Sequence, residues 1–241
     1  MKGAMGLRFL GGVLLAAVAL LLNGTAQAQL TYGVRAGVGF PTLRRTFVDR
    51  SERAANIVGF HAGAEAAYFF TSSPGLYLES GLQLALLGGA SLNVNWFLPG
   101  TTRYNSRMQL YALQLPLRLG YATALGSLSL YISMGLQPSV ALWGEVDQIV
   151  DGQRHQARAS FESEFNRLDV AISFHTGVGF GRLPLFFGIY VDYGLIGIQA
   201  VNGEGHIGNF GLSLAYLFRR PAMLSADAPS MARVKNGNDP Q

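Results

Sequence analysis

The 241-residue chain has no cysteine and little charge. The missing cysteine excludes disulfides, thiolate chemistry and a cysteine-linked lipid anchor. Charged residues make up 13% of the chain, about half of the share that is usual in a soluble domain. After residue 28 no apolar run reaches the roughly twenty residues of a spanning helix. A membrane protein without such helices must be a closed β-barrel, because lipid offers no partner to unpaired backbone groups.

The N-terminus has the pattern of an export signal. Lys2 and Arg8 flank the start of an apolar run at 9–22, which is followed by Ala26-Gln27-Ala28. A basic start, a short apolar run and an A-x-A sequence are typical of a cleaved signal peptide. The alternative, a membrane-anchoring helix, needs a longer apolar run. We therefore predict a signal peptide at 1–28 and export to the bacterial outer membrane.

Eight segments after residue 29 alternate apolar and polar residues, and the gaps between them alternate in length. Long gaps lie at 41–56, 88–105 and 144–164, short gaps at 71–75, 123–126 and 182–184, and an intermediate gap at 199–205. An outer-membrane barrel has short periplasmic turns on one rim and long extracellular loops on the other. The pattern predicts an all-β fold over 29–218: an eight-stranded antiparallel up-and-down transmembrane β-barrel with a polar lumen.

The two faces of the predicted strands differ in a way that suits this orientation. In the fifth segment, the even positions 128–136 are apolar, and the odd positions 127–139 are mostly Ser, Gly and Gln. A soluble lipocalin-like barrel would turn its apolar face inward and would need a charged outer face. The polar face here is small and nearly uncharged, which favours a narrow lumen. Aromatic residues are predicted at the short-turn rim: Tyr32, Tyr68, Phe70, Tyr121, Phe180, Phe187, Tyr216 and Phe218.

The last segment, 209–218, has the alternation and terminal Phe218 of a strand that the outer-membrane assembly machinery reads. The tail at 219–241 has no periodicity and is predicted to be a disordered periplasmic segment. The formal net charge of +4 is modest and its basic residues lie mainly in loops and the tail. We therefore expect outer-membrane lipid and envelope or secreted proteins as partners, and no nucleic acid.

Polar residues on the lumen face are predicted to form a structural network. Its members are Arg35, His61, Glu65, Glu79, Gln83, Gln114, Arg118, Ser173, His175, Tyr190 and Asp192. Arg35 and Arg118 should neutralise Glu65 and Glu79, and Asp192 should lie beside His175 or Ser173. A carboxylate at that place would hold the imidazole by a hydrogen bond.

The polar residues also permit two catalytic alternatives. These are acid–base catalysis by the two glutamates, and a hydrolase built on His175 with Asp192 and Ser173 or Ser213. An eight-stranded lumen is only wide enough for side chains, so we predict no catalytic, cofactor or metal site. In the second long loop, Trp96 and Phe97 are the candidate contact with a partner.

The chain resembles the PorT-like family of outer-membrane β-barrel proteins of Gram-negative bacteria. The resemblance is carried by YGVRAG at 32–37, GFHAG at 59–63 with Glu65, LYLESGL at 76–82 and LQLPL at 113–117. It implies an eight-stranded outer-membrane barrel, and founding members of the family take part in protein export to the cell surface. We expect a non-enzymatic barrel with a structural or interaction role at the surface, and more specifically a role as an accessory to protein export. A narrow channel and a lipid-modifying enzyme are the alternatives.

Overall fold

The computed structural model describes residues 29–46, 51–70, 75–91, 104–150, 153–159, 161, 166–180, 183–197 and 204–218. The predicted signal peptide, the tail, Trp96 and Phe97 lie outside the described residues. Within the described part of the chain, no helix is long and apolar enough to cross a membrane.

The described residues form twelve β-strands. They are β1 (Gln29–Gly39), β2 (Thr42–Thr46), β3 (Ser51–Arg53), β4 (Gly59–Phe69), β5 (Gly75–Ser91), β6 (Tyr104–Gln114), β7 (Leu117–Leu125), β8 (Leu128–Val150), β9 (Gln153–Arg158), β10 (Leu168–Phe180), β11 (Leu185–Gly194) and β12 (Glu204–Leu217).

The strands close into an eight-stranded antiparallel barrel, as the alternation predicts. Its order is β1, β4, β5, β6 with β7, β8, β10, β11 and β12, and β12 pairs back onto β1. β6 and β7 are one crossing interrupted at Leu115-Pro116, where proline cannot donate a ladder hydrogen bond. Closure leaves no open sheet edge around the barrel, which is the condition for placing strands in lipid.

The apolar side chains face outward and the polar side chains face the lumen. On β8, Met134 is 62% exposed, whereas Ser133 beside it is 2% exposed. Leu212 on β12 is 64% exposed and Ser213 is 5% exposed. An uninterrupted apolar outer surface cannot be kept in water but suits the hydrocarbon of a bilayer. The fold is therefore that of a transmembrane barrel, and the lipocalin-like orientation is wrong.

Aromatic rings surround the barrel at two levels. The predicted rings at the short-turn rim include the contacting pairs Tyr32–Phe218 and Phe180–Phe187, both with centroids 5.9 Å apart. A second group, absent from the sequence prediction, lies toward the long loops: Phe40, Phe60, Tyr111, Trp143, Tyr193 and Phe210. From Tyr32 to Phe40 the chain rises about 27 Å, which is about 20 Å along the axis at a usual strand tilt. The two girdles therefore bracket a membrane-thick apolar band.

The long gaps contain more strand than the sequence predicts. β8 continues to Val150 and turns back as β9, and β2 and β3 form a hairpin within the first long gap. The alternation that would reveal the extension of β8 is interrupted, because a β-bulge shifts the pairing of β6 with β8 between Tyr111 and Ala112. After the bulge, Trp143 faces outward and Gly144 is buried, so the parity of β8 changes.

The short turns form the other rim of the barrel. β7 and β8 are joined by Gly126-Ser127, and Gly126 has a φ of 62°, a left-handed value that favours glycine. Residues 71–74 and 181–182, in the other two short turns, lie outside the described residues.

Candidate functional site: the layered lumen

The lumen side chains are sorted into three layers along the barrel axis. β5 passes through all three, with Tyr77 at the short-turn end, Glu79 and Gln83 in the middle, and Ala85 and Leu87 toward the loops. We call the first layer the inner cap: Phe69, Tyr77, Ala122, Tyr131, Phe186 and Ala215. The last is the outer cap: Leu43, Ala85, Leu87, Met108, Leu110, Ala112 and Ile207. The polar layer between them is held away from water at both ends.

Four charged side chains form one connected network in the polar layer. The Nε of Arg35 on β1 donates to Glu65 Oε2 on β4, and its Nη2 lies 3.6 Å from Glu79 Oε1 on β5. The Nη1 of Arg118 on β7 donates to the same Glu79 oxygen at 2.6 Å. All four are buried. The sequence places them on one face, and the strand pairing, with Glu79 directly opposite Arg118, brings them together.

Neutral polar groups complete the hydrogen bonding of Arg118. Its Nε donates to Ser173 Oγ and its Nη2 to Gln137 Oε1, both at 3.0 Å. Gln137 in turn lies 3.5 Å from Asp192 Oδ2. Burying a charge without such partners would lower the free energy of unfolding by roughly several kcal/mol. These neutral residues therefore stabilise the ion pairs that the caps enclose.

His175 contacts an arginine where a carboxylate was expected. In the pairing of β10 with β11, Asp192 lies opposite Ser173, with which it hydrogen-bonds, and Tyr190 lies opposite His175. The imidazole Nε2 is 2.9 Å from Ser213 Oγ and 2.7 Å from Arg35 Nη1. The prediction that Asp192 lies beside His175 or Ser173 is thus met at Ser173. The expected hydrogen bond between its carboxylate and the imidazole is wrong, because Asp192 is paired one lumen row away from His175.

This arrangement opposes both catalytic alternatives. A hydrolase needs an imidazole that takes a proton from serine and a carboxylate that stabilises the resulting cation. Here the imidazole that contacts Ser213 faces the guanidinium of Arg35, which only donates hydrogen bonds and carries a fixed positive charge. Glu65 and Glu79 are both bonded to arginines, so neither is presented to a substrate.

Two cavities in the lumen, both lined by described residues, are too small for a substrate. A void of about 10 Å³ lies in the polar layer among His61, Gln83, Gln114, Tyr190 and Asp192, with room for about one water molecule. A cavity of about 50 Å³ lies between the ion pairs and the inner cap. Small-molecule sites usually measure roughly 300–1,000 Å³. Neither cavity approaches that size.

Two buried atoms around the small void have no protein partner: Gln83 Nε2 and Asp192 Oδ1. One is a donor and the other an acceptor, so a single water could satisfy both. Among the described residues, no group of three or more His, Cys, Asp or Glu side chains could hold a metal ion.

A larger depression of about 550 Å³ lies on the lipid-facing wall beside Tyr121, Ile132, Thr176, Phe187 and Leu212. Its lining is apolar apart from hydroxyl groups, and it includes no histidine or carboxylate from the described residues. It can accommodate part of an acyl chain but provides no acid or base to act on one.

Several lumen residues were missing from the sequence prediction. Tyr77, Tyr131, Gln137 and Asn209 share the face of the predicted network, and Asn209 Nδ2 lies 3.4 Å from the Tyr190 hydroxyl. The signal that could have found them is the same alternation. Tyr77 lies two residues from the predicted Glu79, and the other three share the parity of a small polar residue on their own strand, Ser133 on β8 or Ser213 on β12. Aromatic side chains obscured it because a ring fits either face of a membrane barrel. The loop candidates Trp96 and Phe97 lie outside the described residues.

Comparison with known proteins gives structural likenesses only. No family model and no curated protein matches the chain. Among solved structures, the chain is similar to Ail, the attachment invasion locus protein of Yersinia pestis, at 13% identity and a TM-score of 0.37, covering 78% of this chain and 98% of that one. It is also similar to Neisserial surface protein A, at 12% identity and a TM-score of 0.40, with the same coverage of 78% and 98%.

Proposed function

We propose that the protein is a non-enzymatic barrel of the bacterial outer membrane whose work is done by its extracellular hairpins through contacts with envelope or secreted proteins. The observation that carries the proposal is the lumen sealed by two apolar caps. A sealed lumen leaves the outer surface as the place for function. The apolar outer wall and the two aromatic girdles support the membrane location, and the N-terminal signal pattern supports export.

The β8–β9 hairpin is the best-described part of that extracellular surface. All six residues of β9 are exposed, and β9 pairs with β8 alone. Exposed strands that project beyond the barrel provide contact area without disturbing the core. Trp96 and Phe97 remain proposed contacts in the neighbouring loop.

We further propose that the contact serves protein export, on the strength of the segments at 32–37, 59–65, 76–82 and 113–117 that resemble the PorT-like family. If the contact does not serve export, the protein would still have a structural role at the cell surface. The sealed lumen speaks against a narrow channel, and the Arg35–His175 contact speaks against a lipid-modifying enzyme.

The test is complementation of a deletion strain. The full chain should restore the surface proteins that the deletion loses, whereas a variant with residues 147–156 replaced by a two-residue turn should not. A control variant, S127A, alters the opposite rim and should restore them. Full restoration by the shortened variant would contradict the proposed role of the hairpin. An altered lipid A mass spectrum in the deletion strain would favour the enzyme.

A further inference from the structure

The outer wall above β6, β8 and β9 carries a local patch of charge. Pairing places Gln109, Glu145 and Arg158 in one row across the three strands, and Arg107, Asp147 and Gln156 in the next. Arg154 follows opposite Ile149. We call Arg107, Glu145, Asp147, Arg154 and Arg158 the rim patch. It has three guanidinium groups and two carboxylates.

Strand alternation places the rim patch on the outside of the barrel wall. On β6, Met108 and Leu110 belong to the outer cap of the lumen, so Arg107, Gln109 and Tyr111 face the other way. On β8, Trp143 is 46% exposed and Gly144 is buried, so Glu145 and Asp147 share the face of Trp143. Their partners in register on β9, Arg158 and Gln156, lie on that face too.

The patch begins one step above the outer aromatic girdle. Tyr111 and Trp143 are paired in register and stack with centroids 4.5 Å apart. Glu145 and Gln109 come two residues farther from the membrane centre, about 7 Å along the strand. Aromatic girdles mark headgroup depth, so the patch begins with Arg158, in the row of Glu145, at the level of the outer-leaflet phosphates. Arg107 lies one row farther out, and Arg154, farther still, reaches back to Asp147 in the row of Arg107.

Part of the same rim is apolar instead. At the same end of the barrel, β11 and the residues after it expose the apolar side chains of Tyr193, Leu195 and Ile196. A purely solvated rim would be polar all round. Within the patch, the Nη2 of Arg154 donates to Asp147 Oδ2 at 2.8 Å while the Arg154 side chain stays 66% exposed. The carboxylate thus orients a guanidinium that remains free to bind a ligand.

We propose that the rim patch binds the phosphate groups of an anionic lipid in the outer leaflet. Arg107, Arg154 and Arg158 would supply the guanidinium groups, which bind phosphate through paired N–H donors. Tyr111 and Trp143 would lie against the sugar or upper acyl region of the same lipid. Arg154 and Arg158 lie on the β8–β9 hairpin. The lipid site does not rest on the proposed protein partner, because lipid binding is tested on the purified chain alone.

The experiment is native mass spectrometry of the full chain, purified in detergent and incubated with bisphosphorylated lipid A. The wild-type protein should retain this lipid. The bound fraction of the matching lipid without phosphates should be at least tenfold lower. The variant R107Q/R154Q/R158Q should lose lipid A about tenfold. The control R167Q removes another exposed arginine, whose guanidinium lies 4.8 Å from the Phe161 ring centroid, and should leave retention unchanged.

Folding is checked by heat-dependent gel mobility. If the triple variant does not fold, R107Q and R154Q alone should each reduce retention about threefold, and E145Q should raise it because a negative charge is removed. Retention of lipid A by the folded triple variant would overturn the proposal. Equal retention of the phosphate-free lipid, or displacement of lipid A by the same concentration of inorganic phosphate, would overturn it as well.

Discussion

Glu79 is the residue on which the buried ion pairs converge. Arg118 and Arg35 both direct a guanidinium nitrogen at its Oε1, and Ser133 lies 3.5 Å from its Oε2. The two arginines come from strands on opposite sides of the Glu65–Glu79 pair in the barrel order. Removing this carboxylate leaves two buried cations with one counter-charge.

We therefore expect Glu79→Gln to lower the free energy of unfolding by about 3–5 kcal/mol, the usual cost of a buried charge that has lost its partner. Urea titration in lipid vesicles, followed by heat-dependent gel mobility, measures it. The control is Asp147→Asn, which breaks an ion pair with a largely exposed arginine and should cost less than about 1 kcal/mol. Similar losses in the two variants would contradict the layered account.

Gly188 lies where lumen side chains crowd the wall. A Cβ at this position would meet the Tyr131 hydroxyl, His175 Nε2 and Ser213 Oγ. Gly188→Ala should thus destabilise the barrel by about 1–3 kcal/mol through overpacking. At Gly208 a Cβ would meet one Thr42 atom at 3.6 Å, an ordinary contact, so Gly208→Ala should be neutral in the same titration. If Gly188→Ala is as well tolerated, the packing around His175 is looser than described.

The sequence predicts which residues face the lumen and that Arg35 and Arg118 pair with Glu65 and Glu79, but it does not predict the partners of His175. Alternation suffices for the first, because lumen and lipid ask for opposite polarity at successive positions. Bonding depends on register: a shift of one lumen row decides that Asp192 meets Ser173 and leaves His175 to Arg35. The length of the turn at 182–184 did not determine the register of β10 with β11 from sequence alone. Several lumen groups lie near enough to pair with either His175 or Ser173.

At the scale of elements, the barrel strands could be predicted and the extramembrane strands could not. The eight crossings follow from alternation over ten or so residues. β9 has polar residues on both faces, QRHQAR, so no alternation marks it as a strand. β8 hides its extension behind the bulge near Trp143, which reverses parity. Barrel strands can be predicted because lipid requires one apolar face. Outside lipid no face needs to be apolar, so the sequence there lacks this alternation.

Topology gives a prediction about the two rims. The chain has no cysteine, so a single cysteine can be placed at Gln153 in β9 or at Ser127 in the Gly126-Ser127 turn, both exposed. We expect Q153C to react with a membrane-impermeant maleimide on intact cells, and S127C to react only after the outer membrane is permeabilised. The chain without cysteine is the control. The reverse labelling pattern would invert the barrel.

At the scale of the whole molecule, the barrel is inverted relative to a soluble protein. Its exposed surface is apolar between two aromatic girdles, and its interior holds ion pairs between two apolar caps. The caps come from residues far apart in sequence, such as Leu43 with Met108 and Phe69 with Phe186. Alternation predicted a filled lumen, but only the closed barrel shows that its filling is stratified.

The central claim, a lumen sealed at both ends, is tested most directly by electrical recording. The full chain, shown to be folded by heat-dependent gel mobility, is inserted into a planar lipid bilayer at moderate salt, and current is recorded under applied voltage. We expect insertion without steady ion-conducting openings, since buried apolar side chains fill the lumen on both sides of the polar layer. Reproducible open-channel currents from the folded wild-type protein would contradict it.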